Sequence, residues 1–167
     1  DWQTLYGAEY AINLTGGVMV SIGVGAGDTA SDSALLANTL YGSTSNDFIL
    51  GSTGDEMIYG YEGDDVIESG WGDDVIYAGS GNDRVEAGEG DDLIVGGDGA
   101  GDDHYDGGAG IDTVKFTSAQ AGIYIDLLNG LARSILGDDS AGIGQDTLIG
   151  IENVIAGEFG DNIFGDE

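Results

Sequence analysis

The sequence predicts an all-β solenoid, in which short parallel strands coil around a thin core. Two observations carry this expectation. An acidic residue recurs every nine positions, at Asp47, Glu56, Asp65, Asp74, Asp83 and Asp92. Each is framed in the same way. Two residues before it stands Ser45, Gly54, Gly63, Gly72, Gly81 or Gly90, and two residues after it stands Ile49, Ile58, Ile67, Ile76, Val85 or Ile94. A fixed short period of this kind is the mark of stacked, identical coils.

The frame divides into a turn of six residues and a strand of three. In the clearest block Gly79-Ser80-Gly81-Asn82-Asp83 turns and Arg84-Val85-Glu86 extends, then Gly88-Glu89-Gly90-Asp91-Asp92 turns and Leu93-Ile94-Val95 extends. Glycines supply the positive φ values of tight turns. Side chains alternate along a strand, so its middle residue faces opposite to its neighbours. That middle residue is always Ile, Val or, at position 105, Tyr, and is expected to point inward. Two repeats close one coil, so equivalent residues stack 18 apart. Ile49, Ile67 and Val85 should form one core ladder, and Ile58, Ile76 and Ile94 the opposing one. Each step is about 4.8 Å. A core two ladders wide is too thin for apolar burial alone to hold.

Charge points to what else holds it. The chain has 167 residues, 32 acidic and 3 basic, for a net charge of −29. Such a balance excludes nucleic acid and anionic membrane as default partners. Uncompensated, it should expand the chain, yet the apolar fraction of 41% is that of an ordinary globular domain. A bound cation reconciles the two. Cysteine is absent, which removes disulfides and thiolate ligands. No apolar run approaches the ~18 residues of a membrane span. Asp1 is not an initiator Met, and the chain reads as a piece of something larger.

Calcium is the cation these residue types suit. It takes about six to eight oxygens from carboxylates and carbonyls. Stacked turns place Asp65 over Asp83 and Asp74 over Asp92, and glycine-rich backbone offers carbonyls to complete the shell. An ion bridging two coils turns binding energy into folding energy.

The segments Gly70-Trp71-Gly72-Asp73-Asp74, Gly79-Ser80-Gly81-Asn82-Asp83 and Gly88-Glu89-Gly90-Asp91-Asp92 resemble the hemolysin-type RTX nonapeptide family. The resemblance covers residues 42–115. It implies a right-handed parallel β-roll with ions between turns two repeats apart. Carried over, one ion uses Tyr61, Gly63 and Asp65 with Ala78, Ser80 and Asp83. Another uses Gly70, Gly72 and Asp74 with Ala87, Glu89 and Asp92. Gly60, Glu62, Gly81 and Gly90 lie in the same turns and join the implied ligand set. Further sites pair Asp47 with Asp65, Glu56 with Asp74, Asp83 with Asp103, and Asp92 with Asp112, for about four to six calcium ions in all. The pattern departs from the family where Glu56 replaces an aspartate and where Ser43 and Ser45 replace turn glycines. It departs again after Asp92, where the step to Asp103 is eleven residues before Asp112 restores nine.

The flanks repeat over about 114 residues. Ala11–Val18 matches Tyr124–Leu131, and Asn46–Gly51 matches Gly160–Gly165. Both Ala11–Val18 and its match read as strand, glycine turn, strand. The expected organisation is a joint over 1–41, the calcium roll over 42–115, and a second joint over 116–167 leading into a further block. Gln145–Ile155 also resembles joints of large secreted RTX proteins of Gram-negative bacteria, which implies type I secretion and an extracellular place.

Other residues invite blander readings. His104 is the single histidine and sits at an outward strand position, away from any second base. Trp71 in its turn suits packing as well as sugar stacking. The paired carboxylates are committed to ions, so no catalysis is expected within this chain. One sheet should show Met57, Tyr59, Val75, Tyr77, Leu93 and Val95 outward, a patch too large to leave in water. A cover by the strands around Ile12–Val24 or Ile123–Leu131 is expected. The competing reading makes this sheet a carbohydrate or protein ligand surface, as in an accessory module of a polysaccharide-modifying enzyme or an adhesin. The leading reading is a structural or spacer module that folds on calcium after export, beside neighbouring modules of its parent protein.

Overall fold

The structure, a computed structural model, describes residues 10–14, 18–22, 39–96, 101–116, 118–137 and 140–165, the first two segments by their backbone. Every regular element among them is a strand. The two insertion residues around Gly99-Ala100 and the turn at Gly16-Gly17 lie outside the described residues.

The strands are β1 (Tyr10–Leu14), β2 (Val18–Ile22), β3 (Thr39–Tyr41), β4 (Phe48–Leu50), β5 (Met57–Tyr59), β6 (Val66–Trp71), β7 (Val75–Tyr77) and β8 (Arg84–Glu89). They continue with β9 (Leu93–Val95), β10 (His104–Ala109), β11 (Thr113–Lys115), β12 (Ile123–Asp126), β13 (Leu131–Ser134), β14 (Gln145–Ile149), β15 (Asn153–Ile155) and β16 (Asn162–Phe164). They form two sheets. One runs β1-β2-β4-β6-β8-β10-β14-β13-β12-β16, and the other runs β15-β11-β9-β7-β5-β3. Successive strands of the chain alternate between the sheets from β3 to β11, which is a parallel β-solenoid.

Register follows the 18-residue step. Ile49 pairs with Ile67 and Ile67 with Val85, while Ile58 pairs with Ile76 and Ile76 with Ile94. Past the insertion the step widens to 20, and Val85 meets Tyr105 as Ile94 meets Val114. All of these side chains are fully buried. The two expected core ladders are therefore present, and both are longer than the repeats. Leu148 extends one beyond Tyr105, and Val154 extends the other beyond Val114.

Two expectations need correction. Three repeat strands of the first sheet are longer than the expected three residues: β6, β8 and β10 each run for six. Turn stacks on turn in register, so the turn backbone also pairs, with Gly70 opposite Gly88 and Trp71 opposite Glu89. The second correction concerns the apolar sheet. Among the described residues, neither expected cover lies over it. The strand β2 joins the first sheet beside β4, and the β12–β13 hairpin joins the same sheet beside β14. Unpaired strand edges attract those segments more directly than a sheet face does. Met57 and Tyr77 keep 39% and 37% of their surface in water. Their face is organised by its own side chains instead. The rings of Tyr41, Tyr59 and Tyr77 stack one above another, with centroids 5.5 and 4.8 Å apart and planes within 8° and 7°.

The hairpin of β12 and β13 ends the regular coil. It pairs antiparallel with β14 through β13, and β12 then pairs parallel with β16. Two reversals restore the original strand direction, so β16 continues the sheet with the polarity of β14.

Candidate metal centre

The turns in the middle of the array present two short polar side chains that reach in opposite directions. The inner acid reaches back to the preceding coil. Asp65 Oδ1 accepts the Asp47 N–H at 2.8 Å, Asp74 Oδ1 that of Glu56 at 2.7 Å, Asp83 Oδ1 that of Asp65 at 2.9 Å, and Asp92 Oδ1 that of Asp74 at 2.8 Å. Asp103 and Asp112 take the N–H groups of Asp83 and Asp92 in the same way. The residue before each acid reaches forward. Asn46 accepts from Asp64, Asp64 from Asn82, Asp55 from Asp73, and Asp73 from Asp91. This outer row of Asn and Asp was legible in the sequence, since every position preceding one of the inner acids from 46 to 102 is Asn or Asp. It lies in the same nine-residue period, behind the more conspicuous acids.

The second oxygen of the inner acids sets them apart. Oδ2 of Asp65, Asp74, Asp83, Asp92 and Asp112 is buried and has no hydrogen-bond partner. A bare carboxylate oxygen in such a place is costly without a cation. Burial pushes Asp65 and Asp74 up to about 6, and Asp83 and Asp92 up to about 7. It raises Asp103 and Asp112 as well. Among the described residues, no ion pair relieves them. The ion pair of Arg84 with Glu86 lies on the outer face, exposed on both sides.

Backbone oxygens converge on the same spots. A Cβ added to Gly60 would meet the Ala78 carbonyl oxygen at 2.0 Å and Asp65 Oδ2 at 2.8 Å. One added to Gly42 would meet the Gly60 oxygen at 2.4 Å and Asp47 Oδ2 at 2.9 Å. These glycines leave room where a carbonyl and a carboxylate of adjacent coils approach each other. The carbonyls of Tyr61, Ser80 and Glu89 each accept an inter-coil N–H, from Ser80, Gly63 and Gly72, and keep a second lone pair. Gly63, Gly70, Gly72, Gly81 and Gly90 all adopt positive φ, and the carbonyls of Gly63, Gly70 and Gly72 lie about 2 Å from where a Cβ would stand on Gly81, Gly88 and Gly90. Tyr61 takes a φ of 78° at a position where glycine stands in later repeats, and its ring joins the tyrosine row beside Tyr41 and Tyr59. Among the described residues no three His, Cys, Asp or Glu side chains form one cluster. The oxygens therefore come as carboxylates supplemented by carbonyls, the donor set of a hard cation.

The expected ligands are not equivalent. Asp47 and Glu56 begin the two rows, and serines occupy their oxygens. Ser43 donates through N and Oγ to Asp47, and Ser52 donates through N and Oγ to Glu56. At Asp103 the buried Tyr105 hydroxyl donates to Oδ2 at 2.7 Å. Bare oxygens are thus confined to the middle and far end of the rows. Glu62, expected among the ligands, is exposed and bridges backbone to Ser80. Ala87 is fully buried, and its carbonyl accepts from Ser69 Oγ.

Stacked parallel coils, glycine cradles and paired rows of bare carboxylate oxygens define a calcium-binding parallel β-roll. A family model described as the RTX calcium-binding nonapeptide repeat matches the chain in four copies, over residues 36–67, 50–85, 68–100 and 77–114. Residues 36–114 thus belong to the RTX calcium-binding nonapeptide repeat family. No curated protein matches the chain.

Proposed function

We propose that this calcium-binding β-roll folds when calcium becomes available outside the cell and serves as a stabilising or spacing module of a larger exported protein. One observation carries the calcium-driven part: five aspartate Oδ2 atoms are buried without hydrogen-bond partners. Without ions the coil places like charges in two rows, and the chain's −29 charge opposes compaction. With about four to six ions each row is neutralised and the coils are bridged. RTX repeats are typical of secreted proteins, and low cytosolic calcium would leave the chain unfolded until export. The spacer role is supported by the hairpin β12–β13, which carries the sheet from β14 to β16 with unchanged polarity. No catalytic role is proposed, because the paired acids serve as ligands.

A calcium titration followed by circular dichroism tests the reading. The β signal should rise cooperatively with calcium, and magnesium should substitute poorly because it demands compact octahedral geometry. Full β signal in excess chelator would overturn it.

A carbohydrate-binding reading has the solvent-facing row of Tyr41, Tyr59 and Tyr77 in its favour. Those rings lie face to face, so the row offers edges and hydroxyls, whereas a sugar stacks on an open ring face. Retention on immobilised polysaccharide, lost in Tyr77→Ser, would be needed to support it.

A further inference from the structure

We infer that Asp112, Gly150 and Glu152 form a further calcium site, built jointly by the last repeat and the segment that follows the repeats. The inference rests on the calcium reading of the turns and extends it beyond residue 114, where the matched repeats end.

The segment after the hairpin imitates a repeat. Gly144-Gln145-Asp146-Thr147-Leu148 sets an acid two residues after a glycine and two before an apolar residue, as each nonapeptide does. The structure puts these residues in the register of the coil below. Tyr105 pairs with Leu148, and a Cβ on Gly144 would meet the Gly101 carbonyl at 1.8 Å, just as one on Gly101 would meet that of Gly81. Both polar reaches are reproduced. Asp146 Oδ1 accepts the Asp103 N–H at 3.1 Å, and Asp102 accepts from the Gln145 N–H at 2.9 Å.

The other row is completed less regularly. Val114 pairs with Val154, which places Glu152 over Asp112, and Glu152 Oε2 accepts the Asp112 N–H at 2.8 Å. Here only Ile151 separates Gly150 from Glu152, whereas four residues separate Gly107 from Asp112 in the coil beneath. The shortened turn still delivers a carbonyl to the right place. A Cβ on Gly107 would meet the Gly150 oxygen at 2.3 Å and Asp112 Oδ2 at 2.7 Å. Gly42 and Gly60 face the same pair of atoms, a carbonyl of the next coil and an acid Oδ2 five residues on. Asp112 is 0% exposed and its Oδ2 has no hydrogen-bond partner. A buried carboxylate oxygen aimed at a carbonyl is an incomplete cation shell. The longer glutamate side chain spans the gap that the shortened turn leaves, so the segment after the repeats docks as a calcium-dependent cap.

Glu152→Gln tests this in the full chain. Glutamine keeps an oxygen to accept the Asp112 N–H and removes the charge that would bind an ion. Bound calcium is counted by equilibrium dialysis with calcium alone, and amide exchange is followed with and without it. The variant should hold one ion fewer per chain than the wild type. It should also lose the calcium-dependent protection of residues 145–155, while Met57–Val95 stays protected. Glu158→Gln, on an exposed loop, should hold the wild-type number. Equal ion counts in wild type and Glu152→Gln, with equal protection of 145–155, would overturn the site. A wild-type chain that binds no calcium would overturn the reading of the turns, and this site with it.

Discussion

Asp83 accepts the backbone N–H of Asp65 through Oδ1 at 2.9 Å and leaves its Oδ2 buried without a hydrogen-bond partner. One carboxylate thus performs two tasks. It pins the coil beneath it and leaves an oxygen that a cation between coils could take.

Removing such a residue mid-row should cost both tasks. Asp74→Ala and Asp83→Ala each lose an inter-coil hydrogen bond to a charged acceptor, worth about 1.5–3 kcal/mol, and a ligand besides. Asp161 begins a row, and its Oδ1 caps the Ile123 N–H at 3.0 Å. Calcium affinity measured by calorimetry should fall at least tenfold more in the first two variants than in Asp161→Ala. Equal losses in all three would contradict the stacked-row geometry.

The ion-free chain should respond to pH in the sense opposite to most carboxylate proteins. Burial raises Asp65 and Asp74 to about 6 and Asp83 and Asp92 to about 7. The folded state therefore binds more protons than the unfolded state above the ordinary aspartate value near 4. Stability of the ion-free fold is fully present below about 4 and is lost as pH rises towards 7. In chelator, β content by circular dichroism should be greater at pH 4.5 than at pH 8. Protons and calcium compete for the same oxygens, so calcium affinity should weaken as pH falls through 7 to 6.

Glycine positions should divide sharply. Gly79 has a φ of 114°, and a Cβ there would stand 1.9 Å from the Tyr61 carbonyl oxygen. Backbone atoms of the coil beneath cannot yield without breaking the stack. Gly79→Ala should abolish calcium-induced folding at millimolar calcium. Gly160 has nothing within 4 Å of the same point, so Gly160→Ala should leave the folding midpoint almost unchanged. Comparable midpoints for the two variants would show that close stacking does not govern the turns.

The tyrosine row should contribute stability although it faces water. Tyr59 stacks on Tyr41, Tyr61 and Tyr77 at centroid distances of 5.5, 6.1 and 4.8 Å. Aromatic pairs contribute about 0.5–1.5 kcal/mol each. Tyr59→Ala should lower the thermal midpoint of the calcium-bound chain more than Tyr77→Ala, whose ring stacks on Tyr59 alone among these tyrosines. A larger shift for Tyr77→Ala would place the contribution elsewhere.

The coil was legible in the residues alone. The nine-residue period fixed which residues stack, and the Ile and Val two residues past each acid had to face inward, because alternation along a strand admits one inward residue in three. The same period, broken once by the eleven-residue step to Asp103, marked the acids from Asp47 to Asp112 as candidate ligands, since an acid repeated beside glycines without basic partners has a cation as its natural counter-charge. Tertiary structure decided what no period encodes. Which acids keep a bare oxygen depends on neighbours outside the frame: Ser43 and Ser52 occupy Asp47 and Glu56, and the Tyr105 hydroxyl occupies Asp103. The placement of β2, β12 and β13 at strand edges followed from unsatisfied backbone groups. Alternating apolar residues in those strands pointed equally well to a sheet face. The rungs at Asp146 and Glu152 lie 43 and 40 residues beyond their partners, and only the folded coil brings them back into register.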